Sequence, residues 1–265
     1  MNGNPKVIVI TGASAGIGAA LAELAGRRGA APVLAARREP ELRAVAARCG
    51  EHALPVVTNV TQRDDVTRLC EAALERFGRI DVWINNAGRG ITRAVSQLTD
   101  EDFDEIMRVN VKSALYCMQA VLPHFKAQGR GHIINVSSLL GRIPLSIVRS
   151  AYSAAKAALN SLTANLRMEL RDEFPEIAVS TFLPGVVATE FGISAIGGGV
   201  DSRRIPGAQS AEEVAALLWQ LIESPRADVY SRPAMREQVA AYYAAEDMAT
   251  AEVPPVMRLP PPRRD

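Results

Sequence analysis

A doubly wound α/β fold, one parallel sheet with helices on both faces, is predicted by three observations. Short apolar runs recur along the chain, longer Ala-rich amphipathic stretches separate them, and the apolar runs read as continuous Val/Ile sequence rather than as an apolar–polar alternation. A strand without a polar face is buried on both sides, which requires helices above and below it. The strand-like runs are 6–10, 31–35, 53–59, 82–85, 132–137, 178–183 and 228–231, and helical patterns fill 17–28, 40–49, 63–77, 101–126, 150–173 and 211–223. That order gives a Rossmann-like sheet without internal repeats.

Two segments break the rhythm. Residues 189–209 are glycine-rich and lack helical periodicity, and they are expected to form a lid over a pocket that precedes the next helix. From about residue 250 the chain carries Pro254, Pro255, Pro260, Pro261 and Pro262, a density that forbids helix and central strand and predicts a flexible or surface-draped tail. The expected organisation is one domain over 1–235, lid included, followed by a C-terminal extension over 236–265.

Composition narrows the partners. With 30 basic and 29 acidic residues and a formal charge of +1, the chain has no field of one sign to recruit nucleic acid or an anionic membrane. Cys49, Cys70 and Cys117 are scattered without a CxxC pair, and there are three histidines, so neither a metal site nor a disulfide framework is expected and a reducing cytoplasm fits best. The apolar run Val7–Ile10 is too short for a signal peptide, and no stretch of about 18 apolar residues is long enough to cross a bilayer.

The chemistry begins with Tyr152 and Lys156, four residues apart in a helical stretch and therefore on one face. A cation beside a phenol stabilises the phenolate and brings its pKa down from about 10 toward the working pH, as a general acid/base requires. The spacing alone also arises by chance. Upstream, Thr11-Gly12-Ala13-Ser14-Ala15-Gly16-Ile17-Gly18 joins the first strand to a helix. Glycines there allow a tight turn and close approach of a pyrophosphate, whose charge meets the free N–H groups of the helix start. A plain strand-to-helix turn would use the same residues. After the second strand, where a carboxylate would bind the ribose 2′-hydroxyl of NAD, stand Arg37 and Arg38. Guanidinium groups pair with phosphate, so this position favours NADP over NAD, the bland alternative being a solvated charge pair offset by Glu39.

Taken with Asn85-Asn86-Ala87-Gly88, Asn110, Ser138-Leu139-Leu140-Gly141 and Pro184-Gly185, these motifs occur in an order that resembles the short-chain dehydrogenase/reductase family, over about residues 5–232. The resemblance implies catalytic roles for Asn110, Ser138, Tyr152 and Lys156. Tyr152 would donate the proton in reduction, Ser138 would bind the substrate oxygen, Lys156 would hold the nicotinamide ribose, and Asn110 would keep a water in the proton relay. Ser137 is the rival to Ser138, since neighbours at a strand end face opposite ways. Cofactor contacts are implied for Gly12, Ser14, Gly16, Ile17 and Gly18 at the pyrophosphate turn and for Arg37 and Arg38 at the 2′-phosphate. Further contacts are implied for Asn59, Val60, Asn86, Ala87 and Gly88 toward the adenosine, and for Tyr152, Lys156, Pro184, Gly185, Val187 and Thr189 toward the nicotinamide. Asn59 replaces the aspartate that many members carry, and the 138–152 connection through Arg142 and Pro144 is a residue longer, which predicts a bulge.

The implied activity is an NADP(H)-dependent interconversion of a carbonyl and a secondary alcohol. Alternatives are a non-catalytic nucleotide sensor or scaffold on the same fold, or a related lyase or epimerase. Ile193, Ile196 and Val200 on one wall, with Leu139, Leu140, Ile143 and Leu145 on the other, suggest an apolar substrate. Long helices over 101–126 and 150–173, apolar on several faces, predict a homodimer or homotetramer. Ordinary structural roles are expected for His124 and His132, and a core or interface position for Cys117. Arg149 could face an anionic substrate, but exposure or pairing with a neighbour is expected instead.

Overall fold

In β1 (Val7–Thr11) every side chain is buried, with Ile8 and Ile10 in one hydrophobic cluster and Val7 and Val9 in another, because successive strand residues point to opposite faces. The computed structural model describes residues 4–253 and continues this two-sided burial across a seven-stranded sheet. The chain runs α1 (Gly16–Arg27), β2 (Ala31–Ala36), α2 (Glu39–Arg48), β3 (Leu54–Val57), α3 (Arg63–Phe77), β4 (Val82–Asn85), α4 (Asp100–Met107) and α5 (Ser113–Gln128). It continues through β5 (Gly131–Val136), α6 (Ser150–Leu170), β6 (Ile177–Leu183), α7 (Ala211–Glu223), β7 (Asp228–Tyr230), α8 (Pro233–Tyr243) and α9 (Met248–Ala251). All neighbouring strands are parallel, in the order β3-β2-β1-β4-β5-β6-β7.

Leu21 of α1, Leu42 of α2 and Leu218 of α7 pack with Ile8, Ile10, Leu34, Ile84 and Ile134 on one face. Leu69 of α3, Val121 and Phe125 of α5 and Leu166 of α6 pack with Val9, Val33, Trp83 and Ile133 on the other. The predicted fold class is therefore the observed one. Strand order reverses between β1 and β4, and the crevice beyond their carboxyl ends is where such sheets hold ligands.

Boundaries differ where tertiary context outweighs local pattern. β3 is shorter than the expected 53–59 and largely half-exposed, because it is an edge strand paired to β2 alone. The single helix expected over 101–126 is broken into α4 and α5 by a π-helical turn, Arg108–Lys112, a type of irregularity common at functional sites. α6 ends at Leu170 rather than 173. α8 is not among the expected helices, although Pro at its first position followed by an Ala-rich run is a helix-start signal. The boundary expected near 235 falls inside it, and the expected Pro-rich tail lies outside the described residues.

A buried polar chain fixes α6 on the sheet. Trp83 Nε1 donates to Asn85 Oδ1 at 3.0 Å, and Asn85 Nδ2 donates to Asn135 Oδ1 at 2.8 Å. Asn135 Nδ2 in turn donates to Thr163 Oγ1 of α6 at 2.8 Å, and Thr163 Oγ1 donates to Leu159 O at 2.6 Å. Every member is paired, the condition under which a buried network specifies one arrangement.

His132 on β5 has a structural role of the expected kind. Its Nε2 lies 2.8 Å from Ser180 Oγ, whose own proton goes to Arg226 O at 2.6 Å, so the ring must donate from Nε2. Nδ1 is then a bare acceptor with no partner among the described residues, and protonating it would place a buried N–H where none of them accepts. Burial accordingly pushes the imidazole pKa down from 6.5 to about 4. Between those values the unfolded chain binds the proton and the folded one does not, so stability is lost as pH falls below 6.5. By the usual linkage of about 1.4 kcal/mol per pKa unit, the loss at pH 4 is on the order of 3 kcal/mol. Urea midpoints of the wild type and of His132→Gln, compared at pH 7 and pH 4.5, should show a smaller acid loss in the variant; equal losses would assign the acid sensitivity to other groups.

Candidate active site

The carboxyl ends of β1 and β4 are joined by Thr11. Its Oγ1 donates to Ile84 O at 3.2 Å and accepts from the backbone N–H groups of Asn86 and Ala87, each at 3.0 Å. Asn86 Nδ2 donates back to Thr11 O at 2.9 Å. The turn that follows β1 uses glycine where the chain requires it: Gly12 and Gly16 have φ of +68° and +56°, conformations costly for other residues. Gly18 is needed for space, since a Cβ there would lie 2.5 Å from Gly12 O and 2.6 Å from Asn86 Nδ2.

α1 opens with Ala15, which supplies no side-chain cap, and its first turn carries no acidic residue. Its first N–H groups are thus left for an external acceptor, which suits a phosphate. A cavity of about 930 Å³ opens in front of this turn. At the end beside this turn are Gly12, Ser14, Gly16, Ile17, Arg37, Arg38, Asn59, Val60, Asn86, Ala87 and Gly88. Ser138, Tyr152, Lys156, Pro184, Gly185 and Val187 line the other end, and Thr189 packs back against the turn, its Cγ2 3.1 Å from where a Cβ on Gly16 would lie. The fold thus brings to one cavity all the residues expected at the site except Gly18, packed beneath the turn, and Asn110. The fit to a dinucleotide rests on the uncapped helix start and the two arginines. Arg38 Nη2 donates to Ser14 Oγ at 3.2 Å and its Nη1 lies 3.5 Å from Glu41, while Arg37 has no ion-pair partner among the described residues.

α6 carries Tyr152 and Lys156, both buried. Lys156 Nζ donates to Val136 O at 2.9 Å and sits 5.6 Å from the centroid of the Tyr152 ring, so the cation faces the aromatic surface. Burial lowers the ammonium pKa from 10.5 to about 8. Tyr152 departs from the expected direction: burial raises its phenol to about 12, against opposing effects from a hydrogen bond with Ser138 and from the Arg149 charge. Desolvation of a buried phenol outweighs the Arg149 charge. Between the rival serines the surroundings differ: Ser137 Oγ donates to Lys156 O at 3.3 Å, whereas Ser138 Oγ accepts from Leu140 N at 3.2 Å and interacts with Tyr152.

Asn110 lies within the π-helical turn, 1 % exposed, and both ends of its amide are engaged by backbone. Nδ2 donates to Arg89 O at 2.9 Å and to Ile106 O at 3.0 Å, and Oδ1 accepts from Arg89 N at 3.2 Å. Asn59 Oδ1 accepts twice from Thr61, from N at 3.2 Å and from Oγ1 at 2.8 Å. Its acceptor is therefore committed locally rather than held free for an adenine amino group.

Between Ser138 and Tyr152 the chain makes two consecutive tight turns, Leu145 N to Ile143 O and Ser146 N to Pro144 O, both at 2.9 Å. These turns leave Ile143 fully buried while Leu139, Leu140, Ile143 and Leu145 still line the cavity. The expected lid wall is different. Ile193 and Val200 are 45 % and 37 % exposed, and Ile196 packs into a separate cluster with Ile91 and Tyr152. Phe191, Ser194 and Ile205 face the cavity instead, joined by Ile147, Val148, Met235 and Gln238. The sequence held no marker for these, since the lid is irregular and has no face to predict. Cys117 is core, and all three cysteines are buried and unpaired. His124 is exposed on α5. Among the described residues no helix is long and apolar enough to cross a membrane.

The short chain dehydrogenase family model matches residues 6–195, more than half of the chain. The chain belongs to the short-chain dehydrogenase/reductase family. The dehydrogenase is 39 % identical over 188 residues to an uncharacterized oxidoreductase of Staphylococcus saprophyticus, covering 69 % of this chain and 79 % of that one. It is 35 % identical over 218 residues to an uncharacterized oxidoreductase of Staphylococcus aureus, covering 81 % and 91 %. A short-chain dehydrogenase/reductase from Burkholderia phymatum, solved with NAD, superposes with a TM-score of 0.84 at 27 % identity over 95 % of this chain and 97 % of that one. An alcohol dehydrogenase from Thermococcus sibiricus, solved with 5-hydroxy-NADP, gives 0.75 at 28 % identity over 85 % and 95 %. The dehydrogenase is thus an oxidoreductase on a fold that takes nicotinamide cofactors.

Proposed function

We propose that this dehydrogenase interconverts a carbonyl compound and a secondary alcohol with NADP(H), Tyr152 serving as acid/base. What supports the reading most is convergence: Ser138, Tyr152 and Lys156 line the same cavity as the uncapped α1 turn. When bound, the nicotinamide cofactor supplies or accepts the hydride. Ser138 and Tyr152 offer hydroxyl donors to the carbonyl oxygen, orienting it and stabilising the charge that develops there. In reduction Tyr152 gives that oxygen its proton, and its raised pKa keeps the phenol protonated at neutral pH. Lys156 holds a cation beside the ring and presents donors for ribose hydroxyls, while Asn110 fixes the backbone at Arg89, beside Gly88.

Preference for NADP rests on Arg37 and Arg38, both exposed at the adenosine end, with Arg37 unpaired among the described residues. Self-association as a homodimer or homotetramer is supported by apolar residues left exposed on α4 and α6, Phe103 at 42 % and Met168 at 55 %. A cytoplasmic setting is supported by the three unpaired cysteines. We retain the division into a dehydrogenase domain to about 235 and a C-terminal extension, with the qualification that Met235 and Gln238 of α8 wall the pocket.

The test is a panel of ketones, aldehydes and secondary alcohols followed at the nicotinamide absorbance with both cofactors. Turnover with kcat/KM at least tenfold higher for NADPH than NADH is expected, and Arg37→Ala/Arg38→Ala should remove most of that ratio by raising the KM for NADPH. A higher kcat/KM with NADH would overturn the NADP assignment, and absence of turnover across the panel would overturn the reaction.

A further inference from the structure

The substrate end of the cavity contains a cation that the proposed chemistry does not use. Arg149, the residue immediately before α6, lines the cavity one helical turn ahead of Tyr152. Its position is fixed on several sides. Nη1 donates to Ile91 O at 3.0 Å, and a Cβ on Gly90 would lie 2.8 Å from Nη1 and 3.0 Å from the Phe191 ring, so glycine makes room for both groups. The backbone beside it is pinned as well: Arg93 N donates to Val148 O at 2.9 Å, and Ser150 Oγ to Arg93 O at 2.9 Å.

The sequence led us to expect this arginine to be exposed or paired. It is partly buried, and no carboxylate lies within ion-pair distance of it among the described residues. Glu190, the one acidic residue lining the cavity among the described residues, is 3.5 Å from Arg203. A guanidinium offers five donors, and one carbonyl occupies a single one of them. A partly desolvated cation without a counter-ion is costly unless a ligand supplies the charge.

We infer that Arg149 is an anion-binding subsite and that the preferred substrate is an oxo acid, with a carboxylate a few bonds from the carbonyl and an apolar remainder. This rests on the carbonyl-reductase reading above. Arg149 lies one turn from Tyr152, so a carbonyl oxygen at Tyr152 leaves the carboxylate of an α- or β-oxo acid within reach of the guanidinium fork, which matches a planar carboxylate in two hydrogen bonds. Leu139, Leu140, Ile143 and Leu145 accept the alkyl part. The reaction balances as before: hydride from NADPH goes to the carbonyl carbon, the Tyr152 proton goes to its oxygen, and the products are the hydroxy acid and NADP⁺, with the carboxylate unchanged.

The experiment compares α- and β-oxooctanoate with their ethyl esters as substrates of the NADPH-loaded wild type, Arg149→Met, Arg149→Gln and Arg149→Lys. Binding of the same acids to NADPH-loaded Tyr152→Phe and Tyr152→Phe/Arg149→Gln is measured by calorimetry. The wild type should prefer acid to ester, and the acid-to-ester ratio of kcat/KM should fall about tenfold to a hundredfold in the Met and Gln variants, mainly through KM, with partial recovery in Lys. Gln keeps a donor for the Ile91 carbonyl, so the test holds if the Met variant fails to fold. A ratio that stays the same while esters are reduced overturns the subsite and leaves the reductase standing. If no carbonyl turns over but acid binding weakens tenfold without Arg149, the subsite stands and the reductase reading falls. Acid binding that is undetectable, or indifferent to Arg149, overturns the subsite.

Discussion

Tyr152→Phe is expected to lower kcat for carbonyl reduction by about a thousandfold while leaving cofactor affinity within a factor of about three. The phenol lines the cavity beside Ser138, and the ring is enclosed by Phe191 at 5.5 Å between centroids and by Lys156 above it. Phenylalanine fills the same space, so the variant removes the proton donor and little else. Single-turnover absorbance changes with saturating NADPH separate the chemical step from release. Turnover undiminished in this variant would end the assignment of Tyr152 as the acid.

The pH dependence has a defined sign. Reduction needs the protonated phenol, and a pKa raised to about 12 keeps it protonated throughout the neutral range. Oxidation needs the phenolate, so the alcohol-oxidation rate should climb with pH where the reduction rate does not. Deprotonation of Lys156, whose pKa burial brings down to about 8, would remove the ring-facing cation across the same alkaline range. The rise in oxidation should therefore be shallower than a single phenol titration.

Gly18→Val should weaken NADPH binding by at least about a hundredfold and destabilise the fold by about 1–3 kcal/mol, the usual range for overpacking a tight site. A Cβ at position 18 meets Gly12 O at 2.5 Å and Asn86 Nδ2 at 2.6 Å. Both atoms belong to the junction that aligns β1 with β4: one is backbone, and the other is held by its hydrogen bonds to Thr11 O and Gly12 O. Relief must come from moving the turn, and with it the N–H groups of α1. Calorimetric titration with NADPH and a thermal melt measure the two losses separately; a variant that binds NADPH as tightly as wild type would show that the turn can shift without involving the phosphate site. The cavity itself does not include Gly18, so its expected effect comes through packing rather than contact.

How much of this was legible in the sequence depended on the range of the interaction. The strands were readable because burial on both faces leaves continuous apolar runs, and six of the seven lie within about a residue of their expected limits, β3 being the shortened one. The glycine turn between β1 and α1 and the Tyr152/Lys156 pair were readable because each is a local spacing: a helix puts residues four apart on one face, and a strand end followed by glycines has few conformations. The π-helical turn around Asn110 was invisible, because the local pattern is helical on both sides and the irregularity is held by Arg89, 21 residues away in sequence.

The substrate walls were the least legible part. Arg149 meets Ile91 across 58 residues, and Met235 comes from a helix beyond the segment matched by the family model. The electrostatics at Tyr152 also ran against the local expectation, since the Lys156 charge is visible in sequence but the extent of burial is not.

By itself, then, the sequence determined the doubly wound sheet, and it located the glycine turn after β1 and the Tyr152/Lys156 pair, because all of these follow from periodicity and short spacings. Only the tertiary structure decided which lid residues face the pocket, how the phenol is desolvated, and that Arg149 stands there without a counter-ion among the described residues. Those are properties of contacts between segments far apart in the chain, and no local pattern encodes them.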